Sequence, residues 1–101
     1  MDEQEIKTLL LTTDMPVAYR SYNSPPPLPY LVYFLDDTDN FGADDKVYQQ
    51  EGNYIIELYT EKHDPTVQEQ VEKLFDDNDI YWEKTETWIE SEKMYLTGYY
   101  I

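Results

Sequence analysis

The sequence predicts an α+β domain in which a mainly antiparallel sheet carries two helices packed on it. The residues from Ile80 to Ile101 alternate in polarity on either side of a short polar turn, as a β-hairpin does. Two other stretches repeat apolar residues at helical spacing. A length of 101 residues with 16% aromatic content is sufficient for one hydrophobic core. We therefore expect a single domain over residues 1–101, with the terminal hairpin at the centre of the sheet.

The first helix is predicted over residues 2–13. Ile6, Leu9 and Leu10 follow helical spacing, and acidic residues occupy the first turn, where the helix dipole favours them. Pro16 is expected to stop this helix, because proline cannot donate a backbone hydrogen bond.

The second helix carries the clearest local signal. Asp64 is a favourable N-cap residue, and Pro65 suits the first helical position. The residues that follow form one apolar stripe: Val67, Val71, Leu74 and Phe75. We expect residues 76–79 to end the helix and lead into the terminal hairpin.

Four further strands are predicted between the two helices, which gives the element order α, β, β, β, β, α, β, β. They comprise Val17–Tyr22, Tyr30–Leu35, Val47–Gln50 and Tyr54–Thr60. The nearly all-apolar second of these suits the middle of the sheet. Pro25–Pro29 is interpreted as a stiff connector rather than a polyproline ligand, since no basic flank accompanies it. Residues 51–53 are expected to form a turn around a glycine.

Residues 36–46 are predicted to form an acidic loop, which is a candidate for a channel lining or a partner contact. Its acidic members are Asp36, Asp37, Asp39, Asp44 and Asp45. Asp37, Asp39 and Gly42 fit the first, third and sixth places of a calcium loop. Phe41 and Tyr48 occupy places where oxygen ligands belong, so a calcium-dependent module is only a third hypothesis.

The net charge of −15 argues against several classes of function. Nucleic acids and anionic membranes are held by Lys and Arg, and this chain has 7 of those against 22 acids. No apolar run approaches the ~20 residues of a membrane helix, and the acidic N-terminus is unlike a signal peptide. There are no cysteines for disulfides or thiolate metal sites. We expect a soluble intracellular protein without tight nucleic-acid binding.

Catalytic chemistry is not predicted. His63 is the only histidine, and it lacks a nearby nucleophile motif or phosphate-binding loop, so a surface role is favoured. The residue pattern therefore predicts no enzyme activity, catalytic residue, metal ligand or cofactor. The aromatic residues of the hairpin suit core packing or subunit contacts instead, and the candidate interface residues are Trp82, Trp88, Tyr95 and Tyr99.

Four short segments without catalytic character carry a resemblance to known proteins. These segments are Pro27-Leu28-Pro29-Tyr30, Asn40-Phe41-Gly42-Ala43-Asp44, Glu57-Leu58-Tyr59-Thr60 and Tyr81-Trp82-Glu83-Lys84-Thr85-Glu86-Thr87. With them, the chain from Val17 to Ile101 resembles a group of small proteins from siphophages and prophages of Gram-positive bacteria. The group looks like tail terminator or tail-completion proteins of the head–tail gene cluster.

This resemblance implies a structural role in virion assembly. The chain would form a ring, often a hexamer, that caps the major tail protein tube and meets the head connector or adaptor proteins. It would act in the host bacterial cytoplasm during assembly and remain at the head–tail junction of the virion. Acidic residues lining such a ring would let DNA pass without adhering. The alternative is a small acidic inhibitor of the anti-restriction type that mimics DNA.

Overall fold

The structure is a computed structural model that describes residues 2–41 and 49–101, with side chains described for residues 2–36 and 53–101. It confirms the predicted α+β fold class, with two helices packed on a mostly antiparallel sheet. In chain order the elements are α1 (Glu3–Leu11), β1 (Val17–Tyr19), β2 (Tyr30–Phe41), β3 (Gln49–Thr60), α2 (Pro65–Asp77), β4 (Glu83–Ile89) and β5 (Met94–Tyr100).

Within the described residues the strands form one sheet in the order β1-β2-β3-β5-β4. β1 runs parallel to β2, and the other pairs are antiparallel. The prediction that the terminal hairpin lies at the centre is wrong, since β3 is the middle strand and β4 lies at an edge. The hairpin joins the sheet through β5 alone, which pairs with residues Ile55 to Thr60 of β3.

The predicted acidic loop and the predicted turn at residues 51–53 are both incorrect where the structure describes them. β2 continues to Phe41, with a bulge at Asp36, and its last residues pair with Gln49–Asn53 of β3. The two strands predicted on either side of residues 51–53 are therefore one strand from Gln49 onwards. These last residues of β2 and first residues of β3 pair only with each other among the described strands. β2 and β3 therefore form a two-stranded arm beyond the rest of the sheet.

Both helices begin at aspartate caps. The Asp2 carboxylate accepts from the Glu5 backbone amide at 2.8 Å, and the Glu5 side chain accepts from Asp2 in return, which is a capping box. α1 ends at Leu11, two residues before the predicted end at residue 13. The hydroxyls of Thr12 and Thr13 donate to the carbonyls of Leu9 and Leu10 in its last turn. α2 begins at Pro65 after the Asp64 cap, as predicted.

One face of the sheet, the helix face, carries both helices. Ladder register places Leu31, Ile56, Leu58 and Tyr99 side by side on it, and each is at most 1% exposed. The helices cover these residues with Ile6, Leu10, Val71 and Phe75. The opposite face, the open face, has neither helix on it.

Candidate interaction surfaces

The open face is covered at one end and accessible elsewhere. Tyr30 and Val32 lie on it with only 7% and 3% exposed, because the connector of residues 20–29 folds over them. The Tyr22 hydroxyl secures this connector by donating to the Leu31 carbonyl at 3.1 Å. Further along the face the side chains are half-buried or exposed, and the apolar and aromatic members are Phe34, Ile55, Tyr59, Ile89, Met94, Leu96 and Tyr100.

A tyrosine groove, defined by Tyr22, Tyr30 and Tyr59 with Ile89, Met94 and Glu92, lies where the connector meets the open face. It has a volume of about 390 Å³. Tyr30 and Tyr59 are cross-strand partners with stacked rings whose centroids lie 5.1 Å apart. The rings of Tyr22 and Tyr30 meet edge to face, with their centroids 5.1 Å apart. Aromatic pairs at these distances stabilise each other beyond their buried area, so the groove has a firm aromatic wall.

The charge around the tyrosine groove is mainly negative. The Tyr59 hydroxyl donates to the Glu57 carboxylate at 2.8 Å, and burial together with this bond raises the pKa of Tyr59 strongly. Burial also raises the pKa of Tyr30, and the charges of Glu92 and Glu57 add to that effect. Arg20 lines the groove as well, but its guanidinium lies over the Phe34 ring, 5.1 Å from the centroid.

A polar network lies between α2 and the β4–β5 side of the helix face. Tyr99 donates its hydroxyl to the Glu72 carboxylate at 2.7 Å, and Lys84 of β4 forms an ion pair with the same oxygen at 2.8 Å. Gln68, which is only 3% exposed, donates to the Thr97 hydroxyl at 2.8 Å. Because each buried group has a partner, the network joins α2 to the hairpin without an unsatisfied polar atom.

The network continues outward to His63. The Glu86 carboxylate accepts from Tyr95, and it lies 3.4 Å from the His63 ring nitrogen Nε2. The Tyr95 bond, followed by the neighbouring charges of His63 and Lys84, lowers the pKa of Glu86. These groups are on the surface, with 54% of the His63 side chain exposed, and their bonds fix the edge strand to the loop before α2.

The four predicted interface residues occupy different environments. Trp88 is 46% exposed on β4, the edge strand, beside its half-buried cross-strand partner Tyr95. Trp82 is half-buried: its ring meets Tyr99 at 5.7 Å and its indole N–H donates to Asp76 at 2.8 Å. Tyr99 is 0% exposed, which makes it a core residue of this fold and places it out of reach of a partner.

The predicted acidic group is only partly described. Asp36 is exposed at the bulge of β2, and the backbone of Asp37 and Asp39 lies in that strand. Pairing of these two residues with Asn53 and Glu51 contradicts the loop that the calcium hypothesis requires. Asp44 and Asp45 lie outside the described residues.

No family model and no curated protein matches this chain. Over the described ranges, no helix is long and apolar enough to cross a membrane. The same residues contain no group of three or more His, Cys, Asp or Glu side chains positioned to hold a metal ion.

Sequence reasoning missed the tyrosine groove. Its central pair, Tyr30 and Tyr59, is 29 positions apart and becomes adjacent only through the register of β2 against β3. The available signal was the number of tyrosines, 11 in 101 residues, which indicated an aromatic surface without locating it.

Proposed function

We propose that this chain is a phage or prophage virion assembly protein, a tail terminator or a tail-to-head joining component. In this role it forms a ring, contacts the major tail protein on one side and the head connector or adaptor on the other, and performs no catalysis. It acts in the host bacterial cytoplasm during assembly and then at the head–tail junction. The sequence resemblance from Val17 to Ile101 motivates the proposal.

The observation that carries the proposal is the exposed edge of the sheet at β4. An edge strand presents backbone groups that can pair with another chain, and natural monomers usually protect such edges. β4 is seven residues long, and Trp88 stands on it with nearly half of its surface exposed. Exposed aromatics beside an edge strand are typical of surfaces that become buried in assemblies.

The two-stranded arm supports the same role. It extends β2 and β3 past the last row that β5 covers, so its backbone lies apart from the rest of the sheet. A paired arm of this kind can reach a neighbouring subunit of a ring. The backbone of Asp36, Asp37 and Asp39 lies at its base and along it. We propose that this acidic stretch lines the channel or contacts a partner.

The test is assembly on tail tubes of the phage that encodes the chain. Native mass spectrometry and electron microscopy should detect a ring on the tube end when the chain is added to purified tubes. Trp88→Ala should weaken ring formation. Tyr81→Ala is the matched control, because Tyr81 is 78% exposed but precedes β4 rather than standing on it. A chain that stays monomeric and binds neither tubes nor connectors would refute the proposal.

The net charge of −15 favours a second candidate, a DNA mimic that inhibits a bacterial restriction enzyme. Carboxylates spaced like phosphates would compete with DNA for the basic cleft of the enzyme. Binding would then weaken steeply with salt, since long-range charge attraction is screened. Inhibition of DNA cleavage by equimolar chain at low salt, with relief at high salt, would support this candidate, and unaltered cleavage would exclude it.

A further inference from the structure

We propose that the tyrosine groove is a docking site for an arginine-bearing segment of a partner protein. The inference is independent of the assembly role, because it follows from the shape and charge of the open face alone. Four features of the groove and its surroundings lead to this partner chemistry.

The first feature is the aromatic wall. Tyr30 is only 7% exposed and stacks on Tyr59, so it forms the buried base of the wall. The rings that a ligand can reach are those of Tyr59 and Tyr22, which are half-buried. The connector is fixed in turn by the bond from Tyr22 to the Leu31 carbonyl. A cation placed within about 6 Å of a tyrosine ring is attracted to its negative face. The groove therefore offers preorganised rings, which lowers the entropic cost of binding.

The second feature is the presence of two carboxylates near these rings. Glu92 lines the groove from the turn between β4 and β5, and Glu57 is bonded to the Tyr59 hydroxyl. In that turn Lys93 forms an ion pair with Glu90, whereas Glu92 has no cation partner among the described residues. A carboxylate beside an aromatic ring is the pairing that a guanidinium matches best, because it can stack and donate two hydrogen bonds at once.

The third feature is an example of this contact on the same face. The guanidinium of Arg20 lies over the Phe34 ring at 5.1 Å from its centroid, at the border of the groove. Arg20 is a positive charge near the site, but its contact with Phe34 directs it to a different ring from Tyr30 and Tyr59. The open face thus already holds one guanidinium over an aromatic ring, with no ion pair to it among the described residues. The groove adds the carboxylate of Glu92.

The fourth feature is the net negative charge of the chain, which favours a basic segment of another protein over a second copy of this chain. Arg20 is the only arginine in the chain, and it is already engaged with Phe34. A second copy would therefore bring no free guanidinium, and it would bring another net charge of −15. A partner segment that is basic in this region is attracted by the same field, and long-range attraction of this kind raises association rates.

The experiment is a titration of the purified chain with N-acetyl-arginine amide at low salt, followed by NMR of the tyrosine rings. We expect the resonances of Tyr22, Tyr30 and Tyr59 to shift in a saturable manner. The neutral analogue N-acetyl-citrulline amide has nearly the same shape, and it should cause much smaller shifts. Equal binding of the two compounds would overturn the proposal, as would an absence of shifts in the groove.

Two variants then test which carboxylate contributes to binding of the arginine amide. Glu92→Gln should weaken binding of the arginine amide by about threefold, as expected for loss of one partly exposed charge pair. Glu90→Gln is the matched control, since it removes the same charge from the same turn but lies outside the groove lining. Both residues are exposed, so both variants should fold. An equal loss in the two variants would mean general attraction to an acidic protein and would refute a defined site.

Discussion

Replacement of Tyr99 by phenylalanine should destabilise the fold by removing one hydroxyl. This hydroxyl donates to Glu72 at 2.7 Å, and the Glu72 side chain is only 15% exposed. Hydrogen bonds to charged groups contribute about 1.5–3 kcal/mol. We expect the lower end, about 1.5 kcal/mol, because the ion pair of Lys84 with Glu72 at 2.8 Å remains in the variant. For a domain of this length such a loss lowers the melting temperature by roughly 7 °C.

Urea denaturation followed by tryptophan fluorescence measures this change directly. The slope of the free energy against urea should stay the same, because the surface exposed on unfolding does not change. Tyr100→Phe is the matched control: Tyr100 is the next residue, 44% exposed, and faces the opposite side of the sheet. If Tyr99→Phe were as stable as the wild type, or if both variants lost the same stability, the network would not stabilise the fold as described.

Three further predictions concern the two faces, the second helix and alkaline pH. Ile56→Val should lower the free energy of unfolding by about 1 kcal/mol, because Ile56 is fully buried. In the same urea denaturation assay Ile55→Val, which lies on the open face and is half-buried, should lower it clearly less. Equal losses would contradict the assignment of faces. Asp64→Ala should cost about 1 kcal/mol by the same assay, since the carboxylate accepts from the Val67 amide at 3.3 Å, and Asp64→Asn should recover most of it. Burial raises the pKa of Tyr59 above its ordinary value of 10.0, so the folded state holds this proton more tightly than the unfolded state. The stability that results from this difference in pKa is complete below pH 10 and declines above it. Denaturation curves from pH 8 to 11 should show a smaller decline in Tyr59→Phe than in the wild type. An unchanged decline would mean that Tyr59 does not contribute to the loss of stability at alkaline pH.

The sequence was sufficient for elements whose local signals agree with their final environment. In α2 the cap at Asp64, the proline at Pro65 and the apolar stripe all indicate the same helix, and the structure places it at Pro65–Asp77. In the terminal hairpin the alternation is regular, although β4 begins at Glu83, three residues later than predicted. A prediction from local sequence is dependable where the capping residues, the residue preferences and the apolar pattern all favour the same element.

The sequence was insufficient where strand pairing overrides local preference. Asp, Asn and Gly are depleted in strands, so residues 36–41 and 51–53 were predicted as a loop and a turn. In the structure the ladder of β2 and β3 extends through both segments. The contact of Tyr30 with Tyr59 likewise depends on register, which no local pattern contains. The candidate site therefore became visible only with the topology.

The sheet order also determines when the fold can be completed during synthesis. β5 is inserted between β3 and β4, so a nascent chain that ends before Met94 leaves the inner edge of β3 without its partner. Until translation passes that point, Ile56 and Leu58 lack the cover that Tyr99 and Thr97 supply. We expect a chain tethered to the ribosome by a C-terminal linker to gain protease resistance only when the linker is long enough for β5 to leave the exit tunnel.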